Sequence, residues 1–394
     1  MSGSRTAHRV SETVRACLSE GITRGVFPGA AVVVLHERAT LARHACGYAQ
    51  VVPRRIAMRL DTVFDLASVT KPVATTTAIL KLWARGAIAL DAPVSTYLPA
   101  FARAGKERVT VRHLLAHTSG LPAWEMLYLP GPRGGDGADA GARAPACRSI
   151  AQAVDRICVM PVEAPPGTRV EYSDLGFIVL GHLVERLSGE PLDGALRRQV
   201  FGPLGMSRTR YCPLVSWRSS CAATEVGNAY ERGRAAEQGL GRRFRWRTGV
   251  IRGQVHDGNA WHLGRGVAGH AGLFGSADDL ARFGLAILSG GRLGPARVLP
   301  EEIVAESTRN QTPGLGPGPR GLGWALKGWP FLGAKASRAA FGHTGFTGSS
   351  LLVDPARRLV VVLLTNRVHP RADFTAIEQF RPAFHDAVIE AVDG

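Results

Sequence analysis

The alternation of apolar and polar positions predicts a β-sheet built from the two ends of the chain. Residues 8–24 carry apolar side chains at helical spacing, and the segments 29–35 and 41–47 are typical of a two-stranded hairpin. A second amphipathic helix is predicted over residues 375–392, at the end of the chain. Further strand-like segments lie late in the sequence, at residues 323–326, 341–343, 349–353 and 359–365.

The middle of the chain follows a different pattern, mostly helix and loop, with helices predicted over 150–159 and 175–187. Strands at both ends with helices between them predict an α+β protein, in which an antiparallel sheet flanked by helices is built from both chain ends. We therefore predict a sheet domain of residues 1–67 plus 268–394 and an inserted, mostly helical domain of residues 68–267.

Two stretches rich in glycine and proline, residues 131–146 and 312–321, are predicted as loops or flexible linkers. An unstructured insertion is the default interpretation of the first stretch.

The composition is ordinary for a globular protein, with 45% hydrophobic and 20% charged residues, but the formal net charge is +16. Only five of the 48 basic residues are lysines, and the arginines are spread along the chain. The densest basic stretch, residues 232–252, is predicted as a solvated hairpin or loop, because no nucleic-acid-binding motif accompanies it. No nucleic-acid partner is expected.

The first ten residues lack the apolar run of a signal peptide, and no window predicts a membrane span. As written, the chain is expected to be cytoplasmic, and it would be periplasmic or secreted if a leader had been removed. The six cysteines show no C-x-x-C or zinc-ligand spacing, which favours reduced thiols.

Candidate chemistry begins at Ser68-Val69-Thr70-Lys71, which is followed by Pro72 and a helix-compatible run through Leu80. Residues three apart share a face of a helix, and proline is tolerated in the first helical turn. Ser68 is therefore predicted to open a helix with Lys71 beside it. A lysine activates a serine as its base only if desolvation or nearby positive charge lowers the lysine pKa. An N-terminal serine with a surface lysine is the alternative interpretation.

Two further triplets follow in the sequence, Tyr172-Ser173-Asp174 and His343-Thr344-Gly345. The three motifs, in this order, resemble those of the serine β-lactamase and penicillin-binding protein family, and most of all its class C-like branch. That branch includes class C β-lactamases, D-alanyl-D-alanine carboxypeptidases, D-aminopeptidases and related esterases. The flanking segments 64–67, 111–121 and 266–274 also resemble the family.

The resemblance implies a β-lactamase/transpeptidase-like fold with the active site in the cleft between the two domains. It implies that Ser68 is the nucleophile and that Lys71 and Tyr172 move its proton, although a packing role is the alternative for Tyr172 in isolation. The backbone N–H groups of Ser68 and Phe346 are candidates for an oxyanion hole. Substrate contacts are expected from Asp174, His343, Thr344 and Gly345.

Two positions depart from the commonest family pattern. Asp174 replaces the usual asparagine, which removes an amide donor and adds a carboxylate. His343 stands where β-lactamases usually have lysine, and its charge is expected to change near neutral pH. Both changes remove fixed positive charge where a β-lactam carboxylate would bind, so efficient β-lactamase activity is not expected.

The sequence gives less support to other kinds of functional site. His113 and His117, four residues apart, lack the glutamate of a zinc-protease helix, and no metal or organic cofactor is expected. The segment from His256 to Asn259, with His262, is either a ligand contact or a loop with Asx turns. His270 is placed near the cleft without a role. The chain has no G-x-S-x-G motif, which disfavours an α/β-hydrolase.

The sequence therefore predicts a serine hydrolase that acts through an acyl-enzyme on a small ester, amide or peptide. The alternative is a catalytically weak penicillin-binding or sensor protein on the same fold. The substrate and the oligomeric state stay open.

Overall fold

The computed structural model describes residues 2–131, 144–372 and 375–394. Most of the loop predicted at 131–146 lies outside the described residues. The helices are α1 Ser2–Thr23, α2 Thr77–Ala84, α3 Val111–Leu115, α4 Ile150–Val159, α5 Asp174–Ser188, α6 Leu192–Leu196, α7 Ala229–Glu237, α8 Gly258–Gly264, α9 Ala277–Leu288, α10 Glu301–Thr308 and α11 Thr375–Asp393. The strands are β1 Gly29–His36, β2 Ala39–Gln50, β3 Ile56–Ala57, β4 Phe64–Asp65, β5 Arg210–Tyr211, β6 Ala223–Val226, β7 Val250–Arg252, β8 Leu273–Gly275, β9 Arg292–Leu293, β10 Ala296–Arg297, β11 Ala325–Leu326, β12 Phe341–Thr344, β13 Ser350–Asp354 and β14 Leu359–Thr365.

A seven-stranded antiparallel sheet joins the two ends of the chain, in the order β11-β12-β13-β14-β1-β2-β3. The early hairpin and the late strands predicted from the sequence meet through β1 and β14, where Val33 faces Val362. The predicted α+β fold with a sheet built from both chain ends is confirmed.

Both faces of this sheet are covered by helices. Along β1, Val32 and Val34 belong to the core formed with α1 and α11, whereas Val33 and Leu35 belong to the larger core on the other face, where α9 packs. Successive side chains of a strand point to opposite faces, so an uninterrupted apolar strand needs cover on both sides. Among the described residues, no helix has the length and apolar character needed to span a membrane.

The division into two domains stays a prediction. β4 and β8, from the predicted sheet domain, pair with β5, from the predicted helical domain, in one three-stranded sheet. This small sheet holds the backbone just before Ser68.

One local prediction needs correction. The arginine-rich stretch 232–252 is not a simple hairpin or loop, because α7 occupies its first part and β7 its end. The stretch 312–321 is a loop, the first of the two predicted alternatives, and hydrogen bonds hold its ends together. The N–H of Arg320 donates to Thr312 Oγ1 at 2.9 Å and the N–H of Gln311 donates to the Arg320 carbonyl at 2.7 Å. All six cysteines are free, as predicted.

Candidate active site

Ser68 lies in a turn of 3-10 helix, residues 67–69, that leads through wider π-helical turns at Lys71–Thr76 into α2. The preceding residue, Ala67, has φ 47°, a left-handed conformation that few residues other than glycine adopt. The buried Asp65 carboxylate holds this conformation by accepting the Ala67 N–H at 2.9 Å and the His256 N–H at 2.7 Å. Ser68 therefore lies at the start of a helical segment, as its spacing to Lys71 predicts.

Lys71 is completely buried and its ammonium contacts three groups. The Nζ atom lies 3.2 Å from Ser68 Oγ, 3.1 Å from the carbonyl oxygen of His270 and 2.6 Å from Asp174 Oδ1. The structure thus brings the predicted nucleophile and the predicted base into contact. It also gives that base a carboxylate partner.

The carboxylate changes the expected charge of Lys71. Burial lowers the pKa of the Lys71 ammonium, but Asp174 and Tyr172 more than offset burial, and the net effect raises this pKa above its ordinary value. The sequence analysis required the pKa of Lys71 to lie below its ordinary value, and the structure does not provide this. Lys71 is an ammonium in the resting site.

Tyr172 and Asp174 are fixed at the start of α5. Ser173 caps this helix by accepting the Gly176 N–H at 3.2 Å, donates its own hydroxyl to the Pro122 carbonyl at 2.7 Å, and donates its N–H to His117 Nδ1 at 3.0 Å. A carboxylate in the first helical turn is favoured by the helix dipole. The three residues of the motif are thus held by one cap.

The centroid of the half-buried Tyr172 ring lies 4.9 Å from Lys71 Nζ, and the buried Tyr172 hydroxyl has no hydrogen-bond partner among the described residues. Burial raises the pKa of the Tyr172 hydroxyl, although Lys71 opposes the effect. Tyr172 is therefore a neutral phenol beside the predicted nucleophile, able to donate a proton.

The third motif lies on β12 and the turn after it. Position 345 requires glycine because the Leu66 backbone lies close to it: a Cβ atom there would lie 2.4 Å from the Leu66 carbonyl oxygen. Thr347 Oγ1 donates to the Asp65 carbonyl at 2.7 Å, which ties this turn to the strand before Ser68. Phe346, in the same turn, lines a cavity together with Ser68.

His343 does not titrate near neutral pH, which corrects the prediction made for its charge. The ring is only 3% exposed, and Nδ1 donates to the Thr344 carbonyl at 2.8 Å. Burial, with help from Lys71 and Arg320, puts the pKa of His343 well below its usual range. The imidazole is therefore neutral, with its proton on Nδ1.

Two cavities meet at Ser68. The first, of about 400 Å³, is here called the carboxylate cavity, and the second, of about 350 Å³, the arginine cavity. Ser68, Tyr172 and Phe346 line both. The carboxylate cavity is also lined by Asp65, Ala67, Ala123, Trp124, Asp174, Tyr230, Glu231, Arg234, His256, Asp257, His270 and Ala271. The arginine cavity is also lined by Arg320, Ala325, Trp329, Phe331, His343, Thr344, Gly345, Arg367, Ile377, Glu378 and Arg381.

The arginine cavity contains charged residues that the sequence analysis missed. Arg320 is 5% exposed, its guanidinium carbon lies 4.0 Å from the centroid of the Trp329 ring, and it forms no ion pair with any described acidic residue. Burial lowers the pKa of Arg320 to about 10. Arg381 donates to the carbonyls of Gly345 and Ser349, at 2.7 Å and 3.1 Å. Arg320 is one of many arginines and lies in a glycine-rich stretch, so no sequence pattern indicated that it would line the site.

The histidines singled out from the sequence have separate roles. α3 ends at Leu115, so His113 and His117 do not share a helix, and each Nδ1 accepts a backbone N–H, from Thr110 and Ser173 respectively. His256 and Asp257 lie in the carboxylate cavity, and Asp257 caps α8.

Asp174, Asp257 and His270 form a group with suitable atoms for a metal ion, within 4.8 Å of one another. His270 Nε2 lies 2.9 Å from Asp257 Oδ1, and Asp174 is neutralised by Lys71. The three side chains are therefore partnered by protein charges.

A cavity of about 310 Å³ beside His182 and His262 contains none of the predicted site residues.

Comparison with known proteins identifies the family of this chain. The chain is 32% identical over 401 residues to an N-acetylmuramyl-L-alanine amidase of Bacillus subtilis, covering 93% of this chain and 85% of the relative. It is 31% identical over 366 residues to a putative D-alanyl-D-alanine carboxypeptidase of Escherichia coli, covering 88% and 80%. A penicillin-binding protein homologue from Caulobacter crescentus has a similar fold, with a TM-score of 0.70, 22% identity and coverage of 95% of this chain and 97% of that one. The family model described as Beta-lactamase matches residues 14–382, and the chain therefore belongs to the beta-lactamase family.

Proposed function

We propose that this chain is a serine hydrolase that cleaves an amide, peptide or ester through an acyl-enzyme on Ser68. The observation that carries the proposal is the 3.2 Å contact between Lys71 Nζ and Ser68 Oγ at the junction of two cavities. Family membership supports it, as do the names of the amidase and carboxypeptidase relatives, both of which denote acyl-transfer hydrolases.

In this mechanism Ser68 Oγ attacks the substrate carbonyl while its proton leaves through Lys71. Tyr172, a neutral phenol beside Lys71, gives a proton to the leaving group, and water then releases the acyl group. The N–H groups of Ser68 and Phe346 stabilise the oxyanion. Asp174, His343, Thr344 and Gly345 contact the substrate or its immediate surroundings.

We place the site in the cleft between the two proposed domains, residues 1–67 with 268–394 and residues 68–267. Side chains from both segments support this division, since Tyr172 and Phe346 line the same two cavities.

The two cavities suggest how a substrate divides between them. The arginine cavity holds the buried cation of Arg320, which has no acidic partner among the described residues, beside the proton donor Tyr172. An unpaired buried charge is costly, so a ligand that brings a carboxylate is favoured there. We assign the leaving group, with its carboxylate, to this cavity and the acyl group to the carboxylate cavity.

Replacing Arg320 with methionine is expected to raise KM for a substrate whose leaving group carries a carboxylate by roughly tenfold or more, since a hydrogen bond to a charged group contributes about 1.5–3 kcal/mol. KM for an otherwise matched neutral ester should change much less. Steady-state kinetics on both substrates measures the difference. Arg309→Met is the matched control, because the Arg309 side chain is 67% exposed. Equal changes in KM for the two substrates would contradict the assignment.

The neutral state of His343 gives a second expectation. KM for the same carboxylate substrate should stay flat between about pH 6 and 8, because the pKa of His343 lies well below this range and its charge does not change there. KM values measured across this interval, with the neutral ester as reference, test the point. A rise for the carboxylate substrate alone, removed by His343→Lys, would restore the titrating histidine predicted from the sequence.

Labelling and turnover together test the proposed function. The protein should react with a fluorescent penicillin or a fluorophosphonate and should turn over at least one of three substrate classes: p-nitrophenyl esters, D-amino acid anilides and nitrocefin. Labelling without turnover of any substrate would instead support a penicillin-binding sensor.

A further inference from the structure

The contact between Lys71 and Asp174 raises a question about the proton that leaves Ser68. Asp174 Oδ1 lies 2.6 Å from Lys71 Nζ, and Lys71 has no exposed surface. At this distance in a poorly solvated site, a carboxylate strongly favours the charged form of the lysine. An ammonium has no lone pair and cannot accept the serine proton unless it passes a proton on.

Other groups around Lys71 are poor final acceptors. Tyr172 is a neutral phenol, and the His270 carbonyl oxygen that accepts from Lys71 is a very weak base. The charged or titratable groups that face the pair from neighbouring elements are Tyr172, His117, Arg320, His343, Asp257 and His270, with Glu231, Arg234 and His256 across the carboxylate cavity. Among these described groups, Asp174 is the carboxylate in contact with Lys71.

We propose that Asp174 is the terminal acceptor of the Ser68 proton, reached through Lys71. This inference rests on the proposed function, in which Ser68 is the nucleophile. As the bond from Ser68 Oγ to the substrate carbonyl carbon forms, the O–H bond of Ser68 breaks and its proton passes to Lys71 Nζ. Lys71 transfers one of its own protons to Asp174, and the carbonyl electron pair moves to the oxyanion.

The charges balance at each end of this step. Lys71 begins and ends as an ammonium, Asp174 changes from a carboxylate to a carboxylic acid, and the negative charge moves to the oxyanion. When the tetrahedral intermediate collapses, the leaving group takes a proton from Tyr172. The Asp174 proton then returns through Lys71 to Tyr172, which restores the resting site. Asp174 acts through Lys71 and does not touch the substrate in this step.

The pH dependence of kcat/KM on a neutral ester distinguishes this relay from a neutral-lysine mechanism. With Asp174 as acceptor, the rising limb of the wild-type pH–rate profile should lie at lower pH than a lysine base would give. In Asp174→Asn, Lys71 must itself lose a proton, so this rising limb should move to higher pH. Asp174→Glu should return the limb toward its wild-type position.

The competing mechanism predicts the opposite shift. If neutral Lys71 were the base, the wild-type limb would lie above the ordinary titration range of a lysine, because Asp174 raises the pKa of Lys71. Removing the carboxylate would then move the limb down, and that result would overturn the proposal. Asp155→Asn is the matched control for limb position, since this exposed carboxylate on α4 lines neither cavity and its removal should leave the limb in place.

Two measurements distinguish a failure of the proton relay from misfolding of the variant and from a failure of the proposed function. At pH values above its shifted rising limb, Asp174→Asn should approach the wild-type kcat/KM. A misfolded variant would not do so at any pH. Ser68→Ala should abolish covalent labelling. Retained labelling in Ser68→Ala would reject the proposed function itself. Abolished labelling with a downward shift in Asp174→Asn would reject only the proton relay.

Discussion

Replacing Ser68 with alanine is expected to abolish covalent labelling and to lower turnover of the best substrate by several orders of magnitude. The hydroxyl is the proposed attacking atom, and it lies 3.2 Å from the Lys71 ammonium. Removing one oxygen from a residue in a helical turn should leave the fold intact. Intact-protein mass spectrometry after fluorophosphonate treatment and initial-rate assays give the two readouts.

The control for this experiment is Ser216→Ala, since Ser216 lies on the surface in a 3-10 turn. That variant should label and turn over like the wild type. If Ser68→Ala kept more than a few per cent of the wild-type hydrolysis, the assignment of the nucleophile would be wrong.

Replacing Lys71 should cost nearly as much, and two variants separate its possible roles. Lys71→Met removes both the charge and the proton carrier, whereas Lys71→Arg keeps the charge but holds its protons too tightly to relay them. Both variants are expected to lose at least about a thousandfold in kcat, because proton transfer in the transition state contributes factors of roughly 10² to 10⁴ and the serine is also misplaced. Steady-state kinetics with a neutral ester gives the comparison.

Lys81→Met is the matched control for Lys71. Lys81 lies on α2 and donates to the Val298 carbonyl at 2.8 Å, away from both cavities. Thermal unfolding of all variants checks that lost activity is not lost structure. Substantial activity in Lys71→Arg would show that Lys71 acts only as a fixed positive charge.

Local patterns predicted most of the scaffold because they depend on short-range periodicity. β1 and β14 are runs of apolar residues, and α4 lies at the predicted residues 150–159. Three motifs in the expected order also identified the family, and the matching family model confirms that identification. In each case, the required information lies in neighbouring residues or in their order along the chain.

Predictions about charge were less successful, because a pKa depends on residues far apart in the sequence. His343 was expected to titrate near neutrality, but burial beside Lys71 and Arg320 prevents this. Lys71 was expected to have a lowered pKa, but Asp174, more than one hundred positions later in the sequence, raises it. Neither environment can be read from local spacing.

Local patterns and the order of the motifs are enough to predict the fold class, the family and the candidates for nucleophile and proton carrier. Which charged side chains lie against one another depends on the tertiary structure. It placed the carboxylate of Asp174 against Lys71 and left Arg320 buried without a described acidic partner beside Tyr172. Secondary structure follows from the periodicity of a few neighbouring residues, whereas electrostatic energy depends on distance and burial in space, which folding alone sets.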